Sequence, residues 1–327
     1  MTDLLDHHSS ESTKTFIIGK QGHGKTGAKA SLVAIGYKLR MLDYDNGADI
    51  LKNLLTNYHY PYRKYMEDHN IPLRGAVDIC TITEQMTKKT EDGRSRPVPK
   101  NANGFTKTID MLENWVDGQV KLGPVESWDS DCILDIDTFG TLADLAYFHI
   151  QALNGRLGAR QEGYDYQRDV GGAQGILKNL LQKLFSPLIR CNVLINSHIT
   201  WVDESGGTSE RPRNDGITTD PTGYPSAIGR ALSPVAGKYF NNVLMVEQSG
   251  SGPTSKHEIV TVPMKGVSLK TSAPGLLKSR YSVETGLAEI FCTLHNKPPP
   301  TELINRFAAL KPKVTPIPGA AKPPQAA

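Results

Sequence analysis

Short apolar runs alternate with amphipathic stretches through most of the chain, and this alternation predicts its elements. Residues 15–18 (Thr-Phe-Ile-Ile) form a first strand, followed by a glycine-rich turn and a helix over 25–38. Residues 39–44 read as a second strand ending in acidic residues, with a helix beginning near Ala48. The apolar run at 77–82 is a third strand, whereas 84–104, polar and rich in Lys, Pro and Gly, reads as a loop. Over 106–120, Ile109, Leu112, Trp115 and Val116 recur at helical spacing and share one face.

Residues 131–137 are an apolar strand interrupted by Asp135, 142–153 a helix, 154–168 a Gly/Arg-rich break, 170–189 a long helix and 191–199 another buried strand. Residues 203–225 are polar, 226–239 a short helix, and strand-like runs follow at 242–247 and 257–262. Strands that are apolar throughout are buried on both faces, which requires a mostly parallel sheet covered by helices on both sides. The expected fold class is therefore α/β, with antiparallel strands added near the C-terminus. The domain reading is a flexible N-terminus over 1–13, one domain over 14–296 and a Pro/Ala-rich flexible tail over 297–327.

Composition removes several classes. Hydrophobic residues make up 38% of the 327, enough for a sizeable core, and a formal net charge of +3 means that any nucleic-acid surface is local. Cys80, Cys132, Cys191 and Cys292 stand far apart, which argues against a zinc site or a disulfide framework and for free thiols in a reducing compartment. The polar N-terminal segment lacks the blocks of a signal peptide, and no stretch approaches the ~20 apolar residues of a membrane helix. The expected location is the cytoplasm, with no membrane partner.

Gly19-Lys20-Gln21-Gly22-His23-Gly24-Lys25-Thr26 matches the phosphate-binding pattern G-x-x-x-x-G-K-[ST] in full, between an apolar strand and a helix. Its glycines let successive N–H groups turn towards one point, and the helix starting at Lys25, with Gly27 in its first turn, aims its positive end there. Lys25 is placed to neutralise the β and γ phosphates of ATP, and Thr26 to offer its hydroxyl to Mg2+. The competing reading is a bare glycine-rich turn before a helix.

Three strand ends supply further candidates. Asp137 closes the 131–137 strand before a helix, at the carboxyl edge where ligands bind in open α/β sheets; it is the candidate for the magnesium shell, directly or through water. Asp135 is either its support or a hydrogen-bonded buried carboxylate. Asp45, just after the second strand, is the candidate base for the attacking water, or else part of a helix N-cap. His198 ends the 191–199 strand and either senses the γ-phosphate or has no role.

These pieces, in this order, resemble the RecA-like ATPase superfamily over about residues 14–292. The run Asp137-Thr138-Phe139-Gly140-Thr141-Leu142 resembles the aspartate–serine strand end of RecA and RadA proteins. Asp45 falls where that family carries its catalytic glutamate, one methylene longer, and His198 where it has a polar sensor. Leu277-Lys278-Ser279-Arg280-Tyr281 resembles the K-N-R-F-G segment of RadA and the K-x-R finger of hexameric replicative helicases. That implies that Lys278 and Arg280, which share a face if they lie on a strand, reach the neighbouring subunit's nucleotide; the competing reading is a basic pair protecting an edge strand. The compact layout is most similar to phage-encoded RecA-like recombination ATPases of the single-strand annealing group. The resemblance implies a RecA-like P-loop core, ATP and Mg2+, a homo-oligomer (ring or filament), a single-strand-binding protein as companion and, for a phage-encoded protein, the host cytoplasm.

RecA-like recombinases hold single-stranded DNA with two mobile loops, and polar segments stand in both places here. Residues 154–168 carry Arg156, Arg160 and Arg168 with Tyr164 and Tyr166, and 203–225 carry Arg211 and Arg213. Guanidinium groups neutralise phosphates and tyrosine faces stack on bases. Acidic neighbours, Glu162, Asp165, Asp203, Glu204 and Asp220, favour ordinary solvated loops instead. Three functions stay open: a DNA-stimulated recombination, annealing or repair ATPase, a helicase or packaging-type motor, and a P-loop regulator that binds no nucleic acid.

Overall fold

The computed structural model describes residues 12–91, 94–158, 163–202, 208–209, 222–250, 255–264 and 266–310. Strand β1 (Lys14–Ile18) is buried along its length. Past the glycine turn, the helix expected over 25–38 is two short ones, α1 (Lys25–Ala28) and α2 (Ala30–Ala34), and Gly36 at φ 98° turns the chain into β2 (Lys38–Asp43). There follow α3 (Asp49–Thr56), α4 (Pro61–Asp68) and β3 (Val77–Thr81).

The loop expected over 84–104 contains an antiparallel hairpin, β4 (Met86–Glu91) and β5 (Arg94–Pro99). Its polar sequence hides it, because few of its apolar residues, Val98 among them, are buried. The helix expected over 106–120 is also shorter. It is α5 (Gly104–Glu113), followed by a second hairpin, β6 (Trp115–Asp117) and β7 (Val120–Gly123), turning at Gly118 with φ 57°. Val116 and Val120 are β-branched and favour the strand.

Beyond these lie β8 (Cys132–Asp137), α6 (Phe139–Leu153), α7 (Gly163–Phe185), β9 (Asn192–Ser197), β10 (Ile199–Val202), β11 (Thr208–Ser209), β12 (Thr222–Pro225), α8 (Gly229–Ala236), β13 (Asn242–Ser249), β14 (Lys256–Val260), β15 (Arg280–Ser282), α9 (Gly286–Leu294) and α10 (Thr301–Leu310). α7 begins inside the break expected at 154–168. α10 lies in the expected tail, where it buries Leu303 and sets Phe307 against Tyr62, ring centroids 4.7 Å apart.

The main sheet has eight strands in the order β15-β14-β13-β1-β9-β8-β2-β3. From β13 to β3 every neighbouring pair is parallel. β14 and β15 extend it antiparallel at the C-terminal end. The α/β class expected from the sequence, a mostly parallel sheet with antiparallel strands added late, is the one observed.

Side chains alternate across the sheet with period two. Phe16 and Ile18 join Leu134, Ile136, Val193 and Ile195 in a core covered by α5 to α8, while Ile17 joins Leu39, Ile133, Leu194 and Leu244 in a second core under α2, α3, α4, α9 and α10. Register then gathers the strand ends. Ile18 pairs with Ser197, Ile136 with Ile195, and Asp43 with Asp137. The glycine turn, His198, Asp137 and the turn carrying Asp45 therefore emerge at one carboxyl edge. Among the described residues no helix is long and apolar enough to cross a membrane, and the four cysteines are free.

Candidate nucleotide site

The glycine turn is packed tightly against β13. A Cβ on Gly19 would collide with the Val246 carbonyl, and Gly24, at φ 97°, caps α1 with Val283 close by. Both positions need glycine for a stated steric reason. The Lys25 ammonium folds back over the turn and donates to the carbonyls of Gly19 at 2.8 Å and Lys20 at 2.9 Å. Burial pushes its pKa down to about 8, against the attraction of Asp137. His23 Nδ1 donates to the Val246 carbonyl across 3.4 Å, and burial holds its imidazole below the ordinary range.

Opposite the turn, Thr26 Oγ1 donates to Asp137 Oδ2 at 2.7 Å. Lys29, one helical turn beyond Lys25, donates to the same oxygen at 2.8 Å and to Asp135 Oδ2 at 2.5 Å. Burial alone would raise the Asp137 carboxyl; the Lys29 ammonium and the Thr26 hydroxyl outweigh it and hold the group below the usual carboxylate range. Asp135, fully buried, is pushed up to about 7 by its burial in spite of Lys29. The Asp137–Thr138 peptide is cis.

Asp45 is exposed and is aimed by two hydroxyls. Thr138 Oγ1 donates to its Oδ2 at 3.1 Å and Thr141 Oγ1 to its Oδ1 at 2.5 Å. Asp45 does not cap α3, whose N-cap position is Ala48 with no side-chain hydrogen bond; Asp43 holds the turn before the helix, its carboxylate accepting the backbone N–H groups of Asp45, Gly47 and Ala48 at 3.2 to 3.3 Å. His198 is half-buried against the Gly19 backbone; burial first, and then Lys25, push its imidazole down. The edge thus brings together Lys25, Thr26, Asp137, Asp45 and His198.

Lys278 and Arg280 are held elsewhere. Lys278 falls outside β15 and pairs with Glu289 of α9 at 2.8 Å, while Arg280, on the edge strand, pairs with Glu247 and with Glu258, the latter at 3.0 Å. The two charges do not share a strand face as the spacing predicts. Arg156 is bound to Asp169, which also takes Asn154 Nδ2 at 2.8 Å, and faces Asp165 at 3.7 Å. Arg168 is exposed on the first turns of α7, and Tyr166 packs edge-on against Tyr147. Arg160, Arg211, Arg213 and the Tyr164 side chain lie outside the described residues.

Two residues of the site escaped the sequence reading. Lys29 signals itself as a second cation one turn past Lys25, facing acids spaced two apart on a strand. Asn196 is a polar residue in an apolar strand; it is fully buried beside Asp137, whose carboxyl its side chain helps to hold down.

No family model matches the chain, and no curated protein matches it. Solved structures do. A KaiC-like protein from the hyperthermophilic archaeon Pyrococcus horikoshii is 11% identical over 76% of this chain and 78% of its own, with a TM-score of 0.32. The RadB recombinase is 11% identical over 84% and 90%, with a TM-score of 0.39. The flagellar accessory protein FlaH from Methanocaldococcus jannaschii is 10% identical over 83% and 84%, with a TM-score of 0.33.

Proposed function

We propose that this chain is a RecA-like, magnesium-dependent ATPase that acts on single-stranded DNA as an oligomer, in recombination, annealing or repair. One observation carries the ATPase reading: a complete phosphate-binding turn meets an acidic strand end, a hydroxyl-aimed carboxylate and a histidine at one sheet edge.

The residues present fit a magnesium ion. Thr26 and Asp137 are oxygen donors in hydrogen-bond contact at the cleft, the ligand type this ion takes. When bound it supplies positive charge to the phosphate oxygens. The chain supplies the rest. The glycine-turn N–H groups and α1 hold the phosphates, and Lys25 leaves its two carbonyl partners for the γ-phosphate. Asp45, oriented by Thr138 and Thr141, accepts the proton of the attacking water. His198 contacts the terminal phosphate and reports its loss.

The DNA part rests on the order of the motifs and on exposed Arg168. The ion pairs that occupy Arg156 favour a second reading, a P-loop regulator that binds no nucleic acid. ATP hydrolysis measured with and without single-stranded DNA, alongside mass in each state, tests both. Stimulation by DNA with salt-sensitive binding supports the first. Hydrolysis indifferent to DNA supports the second, and no hydrolysis with Mg2+ and ATP under any condition sinks the ATPase reading.

A further inference from the structure

Lys29 is a fully buried cation that the phosphate-binding pattern does not call for. Its ammonium lies 2.5 Å from Asp135 Oδ2 and 2.8 Å from Asp137 Oδ2; the Lys29 and Asp135 side chains have 0% exposure, and Asp137 reaches the cleft with 6%. The Asp137 oxygen that Lys29 holds is also the one that Thr26 binds. Lys25 does not share this duty, because its ammonium is turned to the carbonyls of Gly19 and Lys20.

Two carboxylates beside a hydroxyl are a donor set that hard divalent cations accept. Charges act on one another far more strongly when buried than when exposed. Without Lys29 the pair would hold two uncompensated charges, one buried on Asp135 and one on Asp137 at the edge of the cleft, and would draw a divalent cation from solution whether or not nucleotide was there. With Lys29 in place the cluster keeps a single net negative charge, too little to strip water from an ion that dehydrates reluctantly. Nucleotide phosphates add the missing negative charge from the other side.

We propose that Lys29 is a positioning residue that holds Asp137 in place and cancels the surplus charge of the acidic pair, so that magnesium enters the site only together with a nucleotide's phosphates. The inference rests on the reading of the glycine turn as a nucleotide site.

The test uses Mn2+ as the probe, on the full chain and without nucleotide. Bound Mn2+ is read by electron paramagnetic resonance, and thermal midpoints are recorded with and without the ion. Four proteins are compared: wild type, Lys29→Arg, Lys29→Met and Lys29→Met/Asp135→Asn. Lys29→Met is expected to gain a nucleotide-free Mn2+ site at least roughly tenfold tighter than any in wild type, with a midpoint that rises on adding Mn2+. Lys29→Arg keeps the charge, and the double variant restores the net charge, so both are expected to match wild type. If Lys29→Met does not fold in metal-free buffer, its refolding yield is compared with and without Mn2+, and recovery that depends on the ion is the expected result. Equal nucleotide-free Mn2+ binding in wild type and Lys29→Met, or a folding defect that Mn2+ does not relieve, overturns the proposal. A wild type that binds no Mg2+ and ATP would sink the nucleotide reading instead, and the Mn2+ comparison would still report on Lys29.

Discussion

The Thr26 hydroxyl donates to Asp137 Oδ2 across 2.7 Å although 111 positions separate the two residues in sequence. The bond ties the first turn after the glycine loop to the end of β8, and it sets what each side chain of the site is expected to do.

Among the described residues the Lys25 ammonium bonds to the loop carbonyls of Gly19 and Lys20, so removing it should spare the fold and strike the chemistry. Lys25→Ala is expected to abolish ATP hydrolysis while melting like wild type. Thr26→Ala is expected to raise the Mg2+ concentration needed for half-maximal turnover by roughly tenfold or more. Wild-type turnover in Lys25→Ala would refute the nucleotide site.

Asp45 is held by Thr138 and Thr141 in the pose of a base. Asp45→Asn keeps the size and one acceptor oxygen. Turnover should fall by roughly 10²-fold, the scale of general-base loss, while nucleotide binding measured by calorimetry stays close to wild type. Parallel losses in binding and turnover would mark Asp45 as a structural tie between its loop and α6.

Arg280 is paired with Glu247 and Glu258 within the protomer, and a role in a neighbour's site requires those pairs to open. Lys25→Ala and Arg280→Ala are each expected to be inactive alone and to regain part of the activity when mixed, at interfaces that join an intact glycine loop to an intact Arg280. Full activity of Arg280→Ala as a monomer by mass would eliminate the trans role.

His295 Nδ1 shares a hydrogen bond of 2.7 Å with the Tyr37 hydroxyl; burial first, then Lys297, push its pKa down to about 4 from the ordinary 6.5. The unfolded chain therefore binds the extra proton between those values. Stability from the neutral ring is complete above 6.5 and is lost as pH falls towards 4. His295→Phe is expected to flatten part of that slope in urea unfolding and to lower stability at neutral pH by about 1 kcal/mol through the lost hydrogen bond. His23 and His198, also pushed down, leave a residual slope. An unchanged slope in the variant would count against the assignment.

Much of the framework was legible in the sequence by itself. The glycine turn between β1 and α1, the acidic end of β8 and the parallel α/β class all rest on contiguous patterns, where backbone propensity and period-two or helical burial act within a few residues. The hairpin β4–β5 was hidden because its strands bury little apolar surface, and β6–β7 because buried Trp115 and its neighbour Val116 continue the helical spacing of Ile109 and Leu112 past the end of α5. The partners of Arg156, Lys278 and Arg280 were equally hidden, since a charge's neighbour depends on which elements pack together. Only the tertiary structure placed Lys29 between Asp135 and Asp137, 106 and 108 positions away. Local sequence specifies a strand and the residue at its end; the order of strands in the sheet, set by long-range packing of both cores, specifies which ends meet.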